Sequence, residues 1–148
     1  MVIKRSEKEE YPAIMDINLA NYIINWGIRK AEEKHSDDYY MDYYKLTRIL
    51  FLLNDTYSEN IIITPIKFMG NIPYMPFLDN IFIKHEFNPI KEPKQISNDF
   101  FHYIDINKVD EVLLSYGNKS RYELGSLTKQ IITTKYCHHK KVFVKRKK

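Results

Sequence analysis

Tyr39-Tyr40, Tyr43-Tyr44 and Arg48 are the residues whose types and spacing come nearest to a recognition surface. On a helix, positions three and four apart share a face. Tyrosine and arginine are the side chains most enriched in binding hot spots. Two readings fit the tyrosines. Their rings can sit in the core with the hydroxyls at its edge, or Tyr40 and Tyr44 can form a partner-binding patch that Arg48 completes. Arg48 also has two readings, a surface cation paired with Asp55 or Glu59, or a contact residue of that patch.

Other chemistry finds less support. Cys137-His138-His139 is a metal-like triplet. Adjacent histidines do not readily share one zinc ion and no C-x-x-C partner exists, so no metal site is expected. Gly125 to Lys129 lacks the first glycine of a phosphate-binding loop. No G-x-S-x-G or H-E-x-x-H pattern is present. Glu9-Glu10 and Asp37-Asp38 read as solvated acids, and His35, His85 and His102 are scattered surface or capping residues. No catalytic group and no cofactor are expected.

Charge is unevenly placed. The chain of 148 residues carries a net +4, but residues 135–148 hold seven lysines and arginines and no acid. Taking seven from four leaves the rest at −3. Lys140, Lys141, Lys145, Arg146, Lys147 and Lys148 are candidate nucleic-acid contacts of a salt-sensitive, sequence-independent kind. A tail that only solubilises is the other reading. The single cysteine excludes an internal disulfide and suits a reducing compartment. The N-terminus lacks the apolar stretch of a signal peptide, and the apolar run Ile49–Leu53 is too short for a membrane span. A cytoplasmic protein is the expectation.

The elements follow from periodicity. One domain over residues 1–134 is expected, with a polar arm over 1–15 and a basic tail over 135–148. Asp16 is a good N-cap for a helix over 17–34. Its broad stripe includes Ile17, Leu19, Ala20, Ile23, Ile24, Trp26, Ile28 and Ala31. A second helix over 39–54 buries Leu46, Ile49, Leu50 and Leu53, with Phe51 and Leu52 on a further face. Residues 60–68 read as an edge strand interrupted by Pro65, and Gly70 to Pro76 as a loop. A helix starts near Pro76. Residues 86–104 are irregular.

The stretch Lys108–Gln130 is the most specific. Val109, Val112, Leu113 and Tyr116 form one helical face, and Gly117 stands where a left-handed residue often ends a helix. Ser120 and Glu123 form a capping box, and Leu124 and Leu127 carry the next face. The expected fold class is mainly α, a compact helical domain with one small β element and a C-terminal αα-hairpin.

Four segments in order are familiar. They are Leu19-Ala20-Asn21-Tyr22-Ile23-Ile24, Leu46-Thr47-Arg48-Ile49-Leu50-Phe51, the turn region Ile66–Gly70 with Met75-Pro76-Phe77-Leu78, and the hairpin ending in Leu127-Thr128. Together they resemble the SocA-like Panacea domains, over roughly residues 16–130. The chain departs from that pattern at Asn71, in extra residues before Pro76, and at Lys129-Gln130 with the basic tail. The resemblance implies an antitoxin or an accessory protein of a mobile element. Such a protein binds a cognate toxin stoichiometrically and holds it inactive or delivers it to a protease. Alternatives are a phage or mobile-element inhibitor of a host nuclease or defence complex (anti-CRISPR-like), and a nucleic-acid-binding autoregulator acting through the tail. A homodimer stays open, because self-association and hetero-binding use similar patches.

Overall fold

The computed structural model describes residues 5–57, 66–70 and 72–136. The fold is mainly helical, with six α-helices and one two-stranded antiparallel sheet among the described residues. The first helix, α1, spans Arg5–Lys34. It does not start at Asp16, which lies inside it and is buried. The good helix formers Glu7 to Glu10 carry the helix through the expected arm, so the local capping tendency of an aspartate does not prevail. The predicted stripe is the one that packs: Leu19, Ala20, Ile23 and Ile24 are fully buried. His35 ends α1 in the left-handed region at φ 51°, and the Ser36 amide donates back to the Ala31 carbonyl at 3.1 Å. This is a Schellman-type stop.

The second helix also starts later than its tyrosines suggest. Ser36 caps a 3-10 turn at Asp37–Tyr39, and α2 spans Tyr43–Tyr57. Asp42 is its N-cap, its carboxylate accepting the Lys45 amide at 2.7 Å. Leu46, Ile49, Leu50, Phe51, Leu52 and Leu53 are all buried, so α2 is apolar around most of its girth and runs through the middle of the core. Truncating Leu50 to Ala there costs about 2–5 kcal/mol.

Strand β1, Lys67–Met69, pairs with β2, Ile72–Tyr74. The second strand lies in the segment expected to be loop. Pro73 stands opposite Phe68. A two-stranded ribbon tolerates this, because half of its amides point away from the partner strand. Residues 58–65, which include Pro65 and most of the predicted strand, lie outside the described residues. Pro76 does start the next helical run. It opens a 3-10 turn that leads into α3, Asp79–Phe82, and a further turn at Ile83–His85.

The segment after His85 is irregular as expected, except that α4 forms at Phe100–Tyr103. Its extended part is held by side chains of α1. Asn25 donates to the Lys94 carbonyl and accepts the Lys94 amide, both at 2.7 Å. Asn21 donates to the Gln95 carbonyl at 3.1 Å, and Asn18 accepts the Ser97 amide at 3.0 Å. Three asparagines on one helical face thus replace the partner strand that this backbone lacks. Ile90 adds a bridge to Met41.

Helices α5, Ile106–Tyr116, and α6, Arg121–Ile131, form the αα-hairpin. The capping box is present in both directions, at 3.2 Å from the Glu123 amide to Ser120 Oγ and 3.1 Å from the Ser120 amide to Glu123 Oε1. Gly117 is not left-handed; its φ is −63°. Its lack of a side chain serves packing instead, since a Cβ there would lie 2.3 Å from the Trp26 ring. On α6, Leu124 and Thr128 are buried, while Leu127 is only half-buried. A π-helical turn continues α6 through Ile132–Tyr136.

Candidate recognition cleft

Of the three residues expected to form a partner-binding patch, the structure brings two together. The late start of α2 leaves Tyr39 in the 3-10 turn and Tyr40 at its end. The four tyrosines therefore do not share one helical face. Tyr39 packs on Trp26, with ring centroids 5.9 Å apart. Tyr43 packs edge-on against Phe82 and Phe87. These two fit the reading of rings at the edge of the core. Tyr40 lies beneath the Lys91 ammonium at 5.1 Å.

Tyr44 and Arg48 remain on one face of α2, half of Tyr44 being exposed. Across from them, α6 supplies two residues that the sequence did not single out, Arg121 and Tyr122. Both guanidinium groups converge on the Tyr44 ring, Arg48 at 5.7 Å and Arg121 at 5.9 Å from its centroid. Arg121 also lies 5.3 Å from the Tyr122 ring, which is 75% exposed. The four side chains line an open cleft of about 260 Å³. The only local signal that could have found Arg121 and Tyr122 is their place directly after the Ser120 cap. The capping box fixes the start of α6 and so fixes where they point.

Arg48 does not pair with Asp55. Lys135 takes Asp55 at 3.0 Å, so Lys135 belongs to the folded body rather than to a free tail. Glu59 lies outside the described residues. Arg48 instead donates from Nη1 to the carbonyl of Tyr44 on its own helix at 3.0 Å, and its buried Nε has no hydrogen-bond partner. The guanidinium crosses α6 at Gly125, where a Cβ would stand 3.4 Å from Nε. Burial pulls the Arg48 pKa below its ordinary value and Arg121 adds to the drop, while Asp42 and Tyr44 oppose it. Among the described residues, no carboxylate forms an ion pair with Arg48 or Arg121.

A second cleft of about 360 Å³ adjoins the first and shares Arg121 and Tyr122 with it. Asp37, Asp38, Asp42 and Tyr40 line it, so Tyr40 faces this neighbour and not the Arg48 cleft. Lys45 lies beneath it, buried, with its ammonium donating to the Asp38 carbonyl. Burial lowers the Lys45 pKa to about 8 against the opposing pull of Asp42 and Asp38.

Lys140, Lys141, Lys145, Arg146, Lys147 and Lys148 lie outside the described residues, as do Cys137, His138 and His139. Among the described residues, no three His, Cys, Asp or Glu side chains group as a metal site, and no helix is long and apolar enough to cross a membrane. No family model, curated protein or solved structure matches the chain.

Proposed function

We propose that the protein is a stoichiometric binding domain that grips a partner protein at the α2–α6 cleft, acting as an antitoxin of the Panacea kind. The observation that carries the binding reading is the convergence of Arg48 and Arg121 on the half-exposed ring of Tyr44, beside the exposed Tyr122. Arginine and tyrosine dominate binding hot spots because each offers a large, stiff contact surface together with directional donors. Side chains whose hydrogen-bonding capacity is not used up within the fold gain most from a partner. The antitoxin assignment rests on the sequence resemblance and on the order of helix, helix, short β element, proline-started helix and αα-hairpin. A phage-borne inhibitor of a host nuclease uses the same stoichiometric mechanism with a different target.

The test is co-expression with the product of the neighbouring gene. The expected result is relief of a growth defect and copurification as a soluble complex. Tyr44→Ala is expected to weaken that complex by about 2 kcal/mol, roughly thirty-fold. A neighbour that is harmless when expressed alone rejects the antitoxin reading. A complex unaffected by Tyr44→Ala and Tyr122→Ala removes the cleft as its contact surface.

A further inference from the structure

We infer that the Arg48–Arg121 cleft receives one acidic side chain of the partner and that the adjoining acidic cleft receives a basic side chain beside it. This rests on the protein-binding reading and names the epitope it requires. Two guanidinium groups face one ring with no carboxylate paired to either among the described residues. The charge of Arg121 acts on Arg48 as a repulsion, and a carboxylate that meets both guanidinium groups offsets it. The planar donor fork of arginine matches the two oxygens of a carboxylate. The rings of Tyr44 and Tyr122 wall the site.

The neighbouring cleft decides which anion fits. Asp37, Asp38 and Asp42 line it beside the Lys119–Glu123 ion pair, whose charges offset each other, and it joins the first cleft at Arg121 and Tyr122. The combined groove has a cationic end and an acidic end. A polyanion such as nucleic acid places further phosphates against those aspartates and is repelled there. An isolated carboxylate followed by a basic residue satisfies both ends. Lys45, held by the charges of Asp42 and Asp38, offsets only one of the three aspartates, so that end keeps an acidic balance.

The probes are three short peptides, acetyl-Glu-Ala-Lys-amide, its glutamine twin acetyl-Gln-Ala-Lys-amide, and acetyl-Glu-Ala-Gln-amide, together with a twelve-base-pair DNA duplex. Each is titrated against isotope-labelled full-length protein, reading the Nε–H resonances of Arg48 and Arg121 by NMR. The Glu/Lys peptide is expected to saturate, with either twin about ten-fold weaker. The double variant Arg48→Gln/Arg121→Gln, checked for native fold by circular dichroism, is expected to lose the response at the remaining cleft amides. An equal response to the glutamine twin overturns the inference. So does a larger shift with the duplex, which makes the cleft a nucleic-acid contact. Shifts that depend on protein concentration alone also overturn it, because they assign the cleft to a second copy of this chain. A partner complex that forms but ignores Arg48→Gln/Arg121→Gln overturns the inference and leaves protein binding standing. A missing complex rejects protein binding, while the peptide titration still decides the chemistry of the cleft.

Discussion

Two polar surfaces of this protein differ in how their hydrogen bonds are used. On α1, Asn18, Asn21 and Asn25 spend their amide groups on the backbone of residues 94–97. On α2 and α6, Arg48 has a buried Nε with no partner, and neither it nor Arg121 has a paired carboxylate among the described residues. The first surface closes on itself and holds the fold together. The second leaves two guanidinium groups without an ion pair, among the described residues, beside an open cleft. The two sets of polar residues thus differ in whether their bonding capacity is met inside the chain.

That contrast can be broken or sharpened by substitution. The largest effect is expected from Gly117→Val, which drives a side chain into the Trp26 ring and costs about 3 kcal/mol or more in chemical denaturation. Because φ at Gly117 is ordinary, the cost belongs to packing, against the Trp26 ring and the Leu113 carbonyl oxygen, 2.5 Å from the added Cβ; Trp26→Leu should recover part of it, and no recovery assigns the cost to the Leu113 contact. Asn25→Ala leaves both the Lys94 amide and carbonyl without their partner and is expected to cost about 2–3 kcal/mol. Partner affinity of the folded variant should stay unchanged. If affinity falls while the fold holds, the structural surface also recognises and the contrast fails.

Ser120→Ala removes one half of the capping box and should cost about 1 kcal/mol. Since that cap sets the start of α6, looser positioning of Arg121 and Tyr122 should accompany it, read as broader resonances for those two residues. The last comparison concerns Lys45 and reads a pH dependence rather than a single cost. Its folded pKa of about 8 lies below the ordinary lysine value, so the unfolded chain binds more protons at pH above that point. The Lys45 contribution to stability therefore rises as pH increases from about 8 towards the ordinary lysine range near 10.4. The stability difference between wild type and Lys45→Met should shift in favour of wild type across that window. A difference that is flat from pH 8 to 10 shows that Lys45 titrates as an ordinary lysine.

Local rules were sufficient for part of this protein. The apolar stripes of α1 and α2, the start at Pro76 and the Ser120–Glu123 box depend on neighbours within a turn or two, and each is present. Where two local rules competed, the chain alone could not rank them. Asp16 reads as a cap, yet the helix runs through it, and Tyr39-Tyr40 read as helix, yet Asp42 caps the helix three residues later. Gly117 read as a left-handed helix stop, which its ordinary φ contradicts; only the approach of Trp26 from α1 shows what the glycine serves. Tyr44 and Arg48 were legible as a pair on one face. Their meeting with Arg121 and Tyr122 was not, nor was the grip of three asparagines on the irregular segment at residues 94–97, because such contacts depend on how distant parts of the chain pack. The sequence by itself determined the elements and their apolar faces, since those arise from short-range periodicity and capping. The tertiary structure decided which polar side chains found partners within the fold and which line the open cleft, since that depends on groups far apart in the chain coming within a few ångströms.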